Sequence, residues 1–270
     1  MPGLFLLHHI RAMQKAVLIT GAGSGIGRAT ARRLDQDGYA LLLAGRTAAT
    51  LRETLGMLSS DNAHAILTVD VADRVAMNKG LSDWLSGDAI ELVGVFANAG
   101  IGGHNAYDLE PGLDRWDEIL SANLTGVYVT LMTCLPWLEN AQAEVTHAVV
   151  TSSVLARFAV PGYAAYQASK SGLLGLVRAL AVDWGDKHIL VNAICPGWVE
   201  TDMARDSIAR LAELQRVSYE ECHSNQCAQL PTGRMSSPQE IAETVAWLMS
   251  GAQRSITGQA LDINNGSWMG

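Results

Sequence analysis

Short runs of aliphatic and β-branched residues recur along the chain and alternate with longer stretches of helical periodicity. Each run is continuously apolar, which is typical of strands that are buried on both faces of a parallel sheet. Strands and helices that alternate in this way form right-handed βαβ units. The pattern therefore predicts an α/β fold, a doubly wound parallel sheet with helices on both faces and seven strands, at residues 16–20, 39–44, 65–69, 92–97, 148–151, 190–194 and 259–263.

The helical stretches carry start and stop signals of their own. Gly38 follows the helical run 28–37 and suits the left-handed residue that ends many helices. Ser237, Pro238 and Glu240 provide an N-cap, a first helical residue and a capping-box partner. These signals predict one helix that ends at Gly38 and another that begins after Ser237.

Two segments stand apart from the repeating pattern. Residues 1–14 precede the first strand and are expected to form an N-terminal extension, with Met13 as an alternative start. Residues 15–270 are expected to form one domain, since α/β architectures of this length commonly surround one sheet. Within it, the segment 201–233 is long, polar and charged, so we expect it to fold over a site as a helical lid.

Composition and charge exclude several classes of function. Of the 270 residues, 49% are hydrophobic, which is enough for a core that is covered on both faces. The net charge of −8 would repel nucleic acid, and no basic cluster offsets it. The chain shows no continuous apolar run long enough to span a membrane, and the apolar run at 3–7 is too short for a signal peptide. We therefore expect no nucleic-acid or membrane partner.

The cysteines favour a cytoplasmic protein without disulfides or a metal. They lie at positions 134, 195, 222 and 227, without the dense spacing of a disulfide framework. Cys222, His223 and Cys227 lie close together, but a fourth ligand with a spacing suitable for zinc is missing. Reduced thiols are therefore expected.

A glycine-rich segment follows the first strand directly and opens the first helix. Glycine lets the chain turn sharply and lets a diphosphate approach backbone N–H groups at a helix N-terminus. The same glycines would also suit a merely tight turn, but their place within a βαβ unit favours a dinucleotide site. The predicted cofactor contacts here are Gly21, Gly23, Ser24, Gly25, Ile26 and Gly27.

A tyrosine and a lysine lie four residues apart at the start of a helical stretch. This offset places Tyr166 and Lys170 on one face, where a cation stabilises tyrosinate and brings proton transfer towards neutral pH. In an arbitrary helix, the pair would be a packed Tyr beside a solvated Lys. Here Ser153 ends a strand 13 residues earlier and offers a hydroxyl to a substrate oxygen. Ser152 competes for this role, since alternation along a strand points the two hydroxyls in different directions.

Taken together, these motifs resemble the classical short-chain dehydrogenases/reductases, and 3-oxoacyl reductases among them. The glycine segment matches the family's T-G-x-x-x-G-x-G spacing, and the resemblance covers residues 15–266. It implies a single-domain Rossmann fold and, by the family's spacing, selects Ser153 over Ser152. Asn123 matches the family's active-site asparagine, which is linked to the lysine through water; by residue type alone, it would be a helix residue bonded back to the main chain. The implied catalytic residues are Asn123, Ser153, Tyr166 and Lys170.

The resemblance also implies cofactor contacts beyond the glycines. Asp70 corresponds to the family's adenine contact, with a simple cap of the following helix as the alternative. Pro196 and Gly197 would shape the nicotinamide pocket, although an ordinary strand-to-helix turn suits them equally. Trp198 is expected to border the substrate, together with Ser153 and Tyr166. The further implied cofactor contacts are Asp70, Val71, Asn98, Ala99, Gly100, Tyr166, Lys170, Pro196, Gly197, Val199 and Thr201.

The end of the second strand bears on the choice between NAD and NADP. Gly45 stands where a carboxylate would hold the ribose hydroxyls of NAD, and Arg46 follows with a guanidinium suited to a 2′-phosphate. Ser24 stands where many NADP-preferring relatives carry a second basic residue. The sequence thus favours NADP(H), with NAD(H) as the alternative.

These residues predict an NAD(P)(H)-dependent oxidoreductase that interconverts a ketone and a secondary alcohol, with Tyr166 as general acid/base. An NADPH-dependent carbonyl or 3-oxoacyl reductase is favoured over an NAD-dependent secondary-alcohol dehydrogenase. A non-catalytic cofactor-binding regulator would be expected to lack Tyr166 or Lys170, and both are present. Relatives pair two long helices, here about 113–139 and 163–183, which implies a homotetramer.

Overall fold

A computed structural model, which describes residues 13–86, 90–103 and 114–270, shows a seven-stranded sheet. All neighbouring strands are parallel, in the order β3-β2-β1-β4-β5-β6-β7. Each predicted apolar run forms one strand, which confirms the doubly wound α/β fold. The strands are β1 Gln14–Thr20, β2 Ala40–Gly45, β3 Ala65–Thr68, β4 Ile90–Ala97, β5 Thr146–Thr151, β6 Ile189–Pro196 and β7 Ala260–Ile263.

Helices connect the strands on both faces of the sheet. The predicted cap signals are confirmed: Gly38 has a φ of +83° after the first helix, and Ser237 with Glu240 forms a capping box. Within the described residues, the helices are α1 Gly25–Gln36, α2 Ala48–Leu55, α3 Arg74–Leu85, α4 Trp116–Leu120, α5 Gly126–Glu139, α6 Ala164–Asp183, α7 Asp202–Gln215, α8 Tyr219–Ala228 and α9 Pro238–Leu248.

Two apolar clusters cover the two faces of the sheet. Successive side chains of β1 alternate between them, so that Leu18 joins the cluster under α3, α5 and α6, whereas Val17 and Ile19 join the cluster under α1 and α9. All three side chains are fully buried. This burial on both faces explains why the strands read as continuous apolar runs.

The strand order reverses at β1, because β2 and β3 lie on one side of β1 and the later strands lie on the other. At such a switch point the loops after the strands diverge and leave a crevice at their carboxyl ends. The glycine segment follows β1 and Asn98 follows β4 at this crevice. The N–H groups of Asn98 and Ala99 each donate a 3.0 Å hydrogen bond to Thr20 Oγ1, which holds the two loops together.

The segment 201–233 contains α7 and α8, which share a small apolar cluster of their own. Ile208 of α7 and Cys222 of α8 are buried in it. The base of this helical pair is closed by a parallel bridge between Val199 and Ser236. We call α7 and α8 the lid.

Some predicted segments lie partly or wholly outside the described residues. Residues 1–12 of the expected N-terminal extension do so, whereas Gln14 already belongs to β1. The long helical run is described from Trp116 onwards and extends to Glu139. By length and composition this run could cross a membrane, but half of its most apolar window is buried in the fold, as in the core helices of soluble proteins. It is weak evidence for a membrane span.

Candidate active site

The glycine segment forms a tight loop between β1 and α1. Gly21 and Gly25 have φ values of +65° and +49°, in the left-handed region that favours glycine. A Cβ at Gly27 would overlap the carbonyl oxygen of Gly21, so α1 approaches β1 this closely only without a side chain there. The geometry of the loop therefore depends on the glycines that the sequence pattern singles out.

The first turn of α1 presents unsatisfied N–H groups to the crevice. Ser24 is the N-cap in an extended conformation, and its side chain makes no capping hydrogen bond. Ile26 packs against the apolar cluster under α1 and anchors the turn. Free N–H groups and the positive end of the helix dipole fit a diphosphate, and the missing glycine side chains leave room for its approach.

Two residues that the sequence reasoning missed hold this loop in shape. Arg28 donates hydrogen bonds to the Gly23 carbonyl and, at 3.0 Å, to Thr54 Oγ1. Thr54 of α2 is fully buried and donates to the Ala22 carbonyl at 2.9 Å. Both loop carbonyls are thereby engaged within the protein, which keeps negative dipole ends away from an anionic ligand. The basic residue directly after the last glycine was the available sequence signal.

Asn98, predicted as a cofactor contact, connects the strands that form the back of the crevice. Its Nδ2 donates to the Thr20 carbonyl and its Oδ1 accepts from the Thr151 hydroxyl, both at 3.1 Å. Both polar ends are thus used to tie β1, β4 and β5 together. Gly100, two residues later, lines the crevice, since a Cβ there would lie 3.0 Å from Asn123 Oδ1.

The residues predicted to contact the adenosine lie at the ends of β2 and β3. Arg46 is exposed after β2. Asp70 is exposed after β3, and its Oδ1 accepts a 2.9 Å hydrogen bond from the N–H of Ala72. The interpretation of Asp70 as the helix cap is wrong, because α3 begins later and is capped by Asp73. Val71, which follows Asp70 in the chain, is buried.

The loop after β6 closes the opposite side of the crevice. A Cβ at Gly197 would lie 3.0 Å from the Cα of Asn264, so the loop packs tightly on the segment after β7. Thr201 caps α7 by accepting a 3.3 Å hydrogen bond from Ala204, while its methyl group would lie 3.1 Å from a Cβ at Gly25. The last predicted cofactor residue and the glycine loop therefore meet across the crevice. Pro196 and Val199 are buried in the core.

Ser153 at the end of β5 and Tyr166 and Lys170 of α6 converge beside this crevice. The Ser153 hydroxyl accepts a 3.1 Å hydrogen bond from Leu155 N–H and lies within hydrogen-bonding reach of the Tyr166 phenol. Lys170 is 3% exposed, and its Nζ lies 5.7 Å from the centroid of the Tyr166 ring. Nζ donates a 2.8 Å hydrogen bond to the Thr151 carbonyl. The hydroxyls of Ser153 and Tyr166 and the amine of Lys170 thus lie near one another beside the crevice.

The neighbouring serine points elsewhere, as strand alternation suggests. Ser152 is 2% exposed and donates a 2.8 Å hydrogen bond to the carbonyl oxygen of Lys170. Its hydroxyl fixes the backbone of α6 below the site. Ser153 is the serine that faces the phenol.

Burial shifts the titration of both groups in the pair. It raises the pKa of Tyr166, an effect partly opposed by the hydrogen bond with Ser153. It lowers the pKa of Lys170 to about 8. Lys170 directs its ammonium at the Thr151 carbonyl. The expectation that Lys170 lowers the phenol pKa stays a prediction. Because its pKa is raised, Tyr166 keeps its proton at neutral pH.

Asn123 lies in a π-helical turn, Ser121–Thr125, between α4 and α5. Its side chain is fully buried and exchanges two hydrogen bonds with the backbone of Ile101, at 2.7 and 2.9 Å. The interpretation of Asn123 as bonding back to its own helix is therefore wrong, since the side chain crosses to the loop after β4. Its Nδ2 also reaches Ser169 Oγ of α6 at 3.3 Å. The water link to the lysine stays a prediction.

Trp198, expected to border the substrate, packs against the apolar cluster of the lid. Glu200 and His223 join the strand end to α8 through a 3.1 Å contact. At the other end of the lid, Met203 reaches the loop after β4, where a Cβ at Gly102 would lie 3.0 Å from its Sδ. Contact of Trp198 with a substrate stays a prediction.

Comparison with known proteins agrees with this geometry. Residues 21–267 match the family model described as enoyl-(acyl carrier protein) reductase. The chain belongs to the short-chain dehydrogenase/reductase family. It is accordingly an oxidoreductase of that family.

Relatives and solved structures match over nearly the whole chain. The 3-oxoacyl-(acyl-carrier-protein) reductase of Aquifex aeolicus is 30% identical over 261 residues, which cover 95% of this chain and 98% of the relative. The structure of an actinorhodin polyketide ketoreductase variant with NADPH has a TM-score of 0.87 and 32% identity, and the match covers 94% of this chain and 97% of the other. A 3-ketoacyl-(acyl-carrier-protein) reductase of Brucella melitensis complexed with NADH has a TM-score of 0.81 and 26% identity, over 95% and 99% of the two chains.

Proposed function

We propose that this enzyme reduces the carbonyl group of a ketone or a 3-oxoacyl compound, with NADPH as the hydride donor. The observation that carries the proposal is the pair of hydroxyls on Ser153 and Tyr166, within hydrogen-bonding reach of each other beside Lys170. Two hydroxyl donors that converge on one point fit a single carbonyl oxygen. The 3-oxoacyl reductases and the ketoreductase among the relatives support this substrate class.

The residues divide the reaction between them. When bound in the crevice, the nicotinamide supplies the hydride. Tyr166 donates the proton of its phenol to the substrate oxygen, which Ser153 holds through its hydroxyl. The Ser153 oxygen accepts a hydrogen bond from the Leu155 N–H, and its own proton remains available to donate. Lys170, fixed on the Thr151 carbonyl, stabilises the phenolate that remains.

The titration of Tyr166 suits the proton donor of carbonyl reduction. A raised pKa keeps the phenol protonated at neutral pH, as a general acid requires. Alcohol oxidation follows the same path in reverse, with the Tyr166 phenolate as the base. The supply of reduced or oxidised cofactor therefore sets the direction, and the relatives that are reductases support carbonyl reduction.

Charge at the end of β2 supports NADPH over NADH. Gly45 offers no carboxylate to the ribose hydroxyls, and the exposed guanidinium of Arg46 follows it. Arg46 contributes to the lowered pKa of Glu118, after the larger effect of the hydrogen bond from Arg115, so its charge is felt at the start of α4. A 2′-phosphate beside Arg46 would meet a favourable positive charge.

Replacing Arg46 by Ala tests this preference. We expect kcat/KM with NADPH to fall by about 10- to 100-fold, since a hydrogen bond between charged groups contributes roughly 1.5–3 kcal/mol. The value with NADH should hardly change, because NADH lacks the phosphate. Steady-state kinetics with both cofactors measures the ratio, and Arg52→Ala, an exposed arginine of α2, serves as the matched control. An unchanged NADPH preference in Arg46→Ala would remove this role.

A substrate panel tests the reaction itself. NADPH absorbance is followed with a 3-oxoacyl thioester, a cyclic ketone and an aldose, and NAD reduction is followed with the matching secondary alcohols. We expect the oxoacyl or ketone substrates to be reduced faster than any alcohol is oxidised. If NAD-linked oxidation of an alcohol dominates at neutral pH, the enzyme is instead a secondary-alcohol dehydrogenase.

We further propose a cytoplasmic homotetramer that acts on a small-molecule substrate. Large apolar side chains remain exposed on the two helices that relatives pair, namely Tyr128 and Trp137 on α5 and Val182 on α6. Met269 near the end of the chain is 82% exposed. Trp268 is only partly exposed, because it packs within the same chain against Arg157. The four thiols are all free, as expected in the cytoplasm.

A further inference from the structure

The turn that carries Ser153 ends at an arginine that the proton-transfer steps do not use. Ser153 caps the short 3₁₀ helix Val154–Ala156, and Arg157 follows as its C-cap. The N–H of Arg157 donates a 2.9 Å hydrogen bond to the Val154 carbonyl. Only the three residues of this short helix separate Ser153 from Arg157.

The guanidinium of Arg157 binds the edge strand β7 through three hydrogen bonds. Nε donates to Asp262 Oδ1 at 3.2 Å, while Nη2 donates to Asp262 Oδ2 at 3.1 Å and to the Ala260 carbonyl at 3.0 Å. Such a fork matches carboxylate geometry and fixes the orientation of both partners. The side chains of Arg157 and Asp262 are 21% and 25% exposed, and the Trp268 ring lies 5.1 Å from the guanidinium carbon. The two-point geometry and the contact with Trp268 restrict the guanidinium more than a single exposed ion pair would.

The other end of the turn is held by β6. The N–H of Ser152 donates a 2.8 Å hydrogen bond to the carbonyl of Ile194, and the next residue of β6, Cys195, is fully buried. In the sheet register, Cys195 is the partner of Asp262. These contacts form a closed ring. It runs from Ser153 along the turn to Arg157 and across the ion pair to Asp262. The pairing of β7 with β6 then leads back to Cys195.

We propose that Arg157 is a positioning residue, which holds the Ser153 hydroxyl in line with Tyr166 through its ion pair with Asp262. The inference rests on the proposed carbonyl reduction, since it assigns Arg157 to the machinery of that site. Arg157 acts through the turn and does not touch the substrate. Catalytic groups lose rate steeply when their geometry loosens, by up to about 100-fold for a displacement of roughly 1 Å.

The experiment compares Arg157→Gln, Asp262→Asn and the double variant. Each single change breaks the ring, so we expect each to lower kcat by about 10- to 100-fold with little change in the KM for NADPH. The double variant should be no worse than the weaker single variant, because both residues act through one bond. Arg157→Lys keeps the charge but not the fork, so it should recover part of the loss. Full additivity in the double variant would overturn the proposal.

The two single variants also separate position from charge. Arg157→Gln leaves an unpaired anion beside the site, whereas Asp262→Asn leaves an unpaired cation. A common loss of kcat indicates lost geometry. Opposite shifts of the pH profile, restored in the double variant, would show that charge and not position is the contribution of Arg157, and would overturn the proposal.

A second measurement needs neither cofactor nor substrate. The phenol of Tyr166 is titrated by ultraviolet absorbance, as the difference between each protein and its Tyr166→Phe counterpart. Displacement of Ser153 removes a hydrogen bond that lowers the pKa of Tyr166, so Arg157→Gln should raise this pKa further. If the wild-type enzyme reduces no carbonyl compound, the proposed function fails while this titration still tests Arg157.

A matched control removes an equivalent ion pair elsewhere. Arg254 binds both oxygens of Glu144, at 2.8 and 2.6 Å, on an exposed surface. We expect Arg254→Gln to leave kcat and the Tyr166 titration unchanged. If Arg157→Gln lowers only the melting temperature, with both readouts at the wild-type value, then Arg157 is merely structural and the proposal is wrong.

Discussion

Replacing Tyr166 by Phe is expected to lower kcat for carbonyl reduction by about 100- to 10,000-fold, the range that positioned general acids contribute. The substitution keeps the ring and removes the hydroxyl group that donates the proton in the proposed reaction. Ser153 remains to hold that oxygen, so the substrate KM should change far less than kcat. The loss therefore falls on the chemical step.

Cofactor binding must be measured beside the kinetics of this variant. NADPH fluorescence titration should give a Kd close to that of the wild type, because the glycine loop and Arg46 are untouched. Tyr128→Phe, which removes the same hydroxyl from an exposed residue of α5, should keep the wild-type kcat. A Tyr166→Phe enzyme that retains most of its kcat with cofactor bound would refute the assignment of Tyr166 as the acid.

Acidification from pH 7 to pH 4 should cost the protein about 3 kcal/mol of unfolding free energy through one buried histidine. His147 of β5 is 4% exposed, and its Nδ1 has no hydrogen-bond partner. Burial, with a smaller contribution from Lys15, lowers the pKa of His147 from 6.5 to about 4. Between these two values, the unfolded chain binds a proton that the folded chain does not bind. Stability is therefore complete above pH 6.5 and is lost as the pH falls towards 4.

His147→Leu isolates this contribution from the carboxylates, which also titrate in acid. Leucine fits an apolar strand position without a titrating group. Urea unfolding at a series of pH values should show a shallower loss of stability for His147→Leu between pH 6.5 and 4, by about 1.4 kcal/mol per pH unit. Equal acid slopes in the two proteins would show that His147 is not the cause.

The sequence alone determined the sheet, the order of its elements and the chemical groups of the site. A strand that is buried on both faces of the sheet is continuously apolar, so the seven strands could be predicted from the sequence. The glycine loop and the four-residue spacing of Tyr166 and Lys170 could also be predicted, because each depends on residues that are close together in the sequence. Such short-range patterns state which groups a site contains.

Only the tertiary structure decided which partners the polar groups of the site have within the protein. Asn98 ties three strands together and Asp70 accepts a hydrogen bond from Ala72, while their contacts with the cofactor stay predictions. The Arg157–Asp262 pair joins residues 105 positions apart, and no local pattern connects them.

The physical reason is the range of each interaction. Periodicity and motif spacing act within one element, whereas the partners of a buried polar group depend on strand register and on which loops meet at the carboxyl ends of the sheet. The burial that keeps Tyr166 protonated and His147 neutral arises only when several elements pack together.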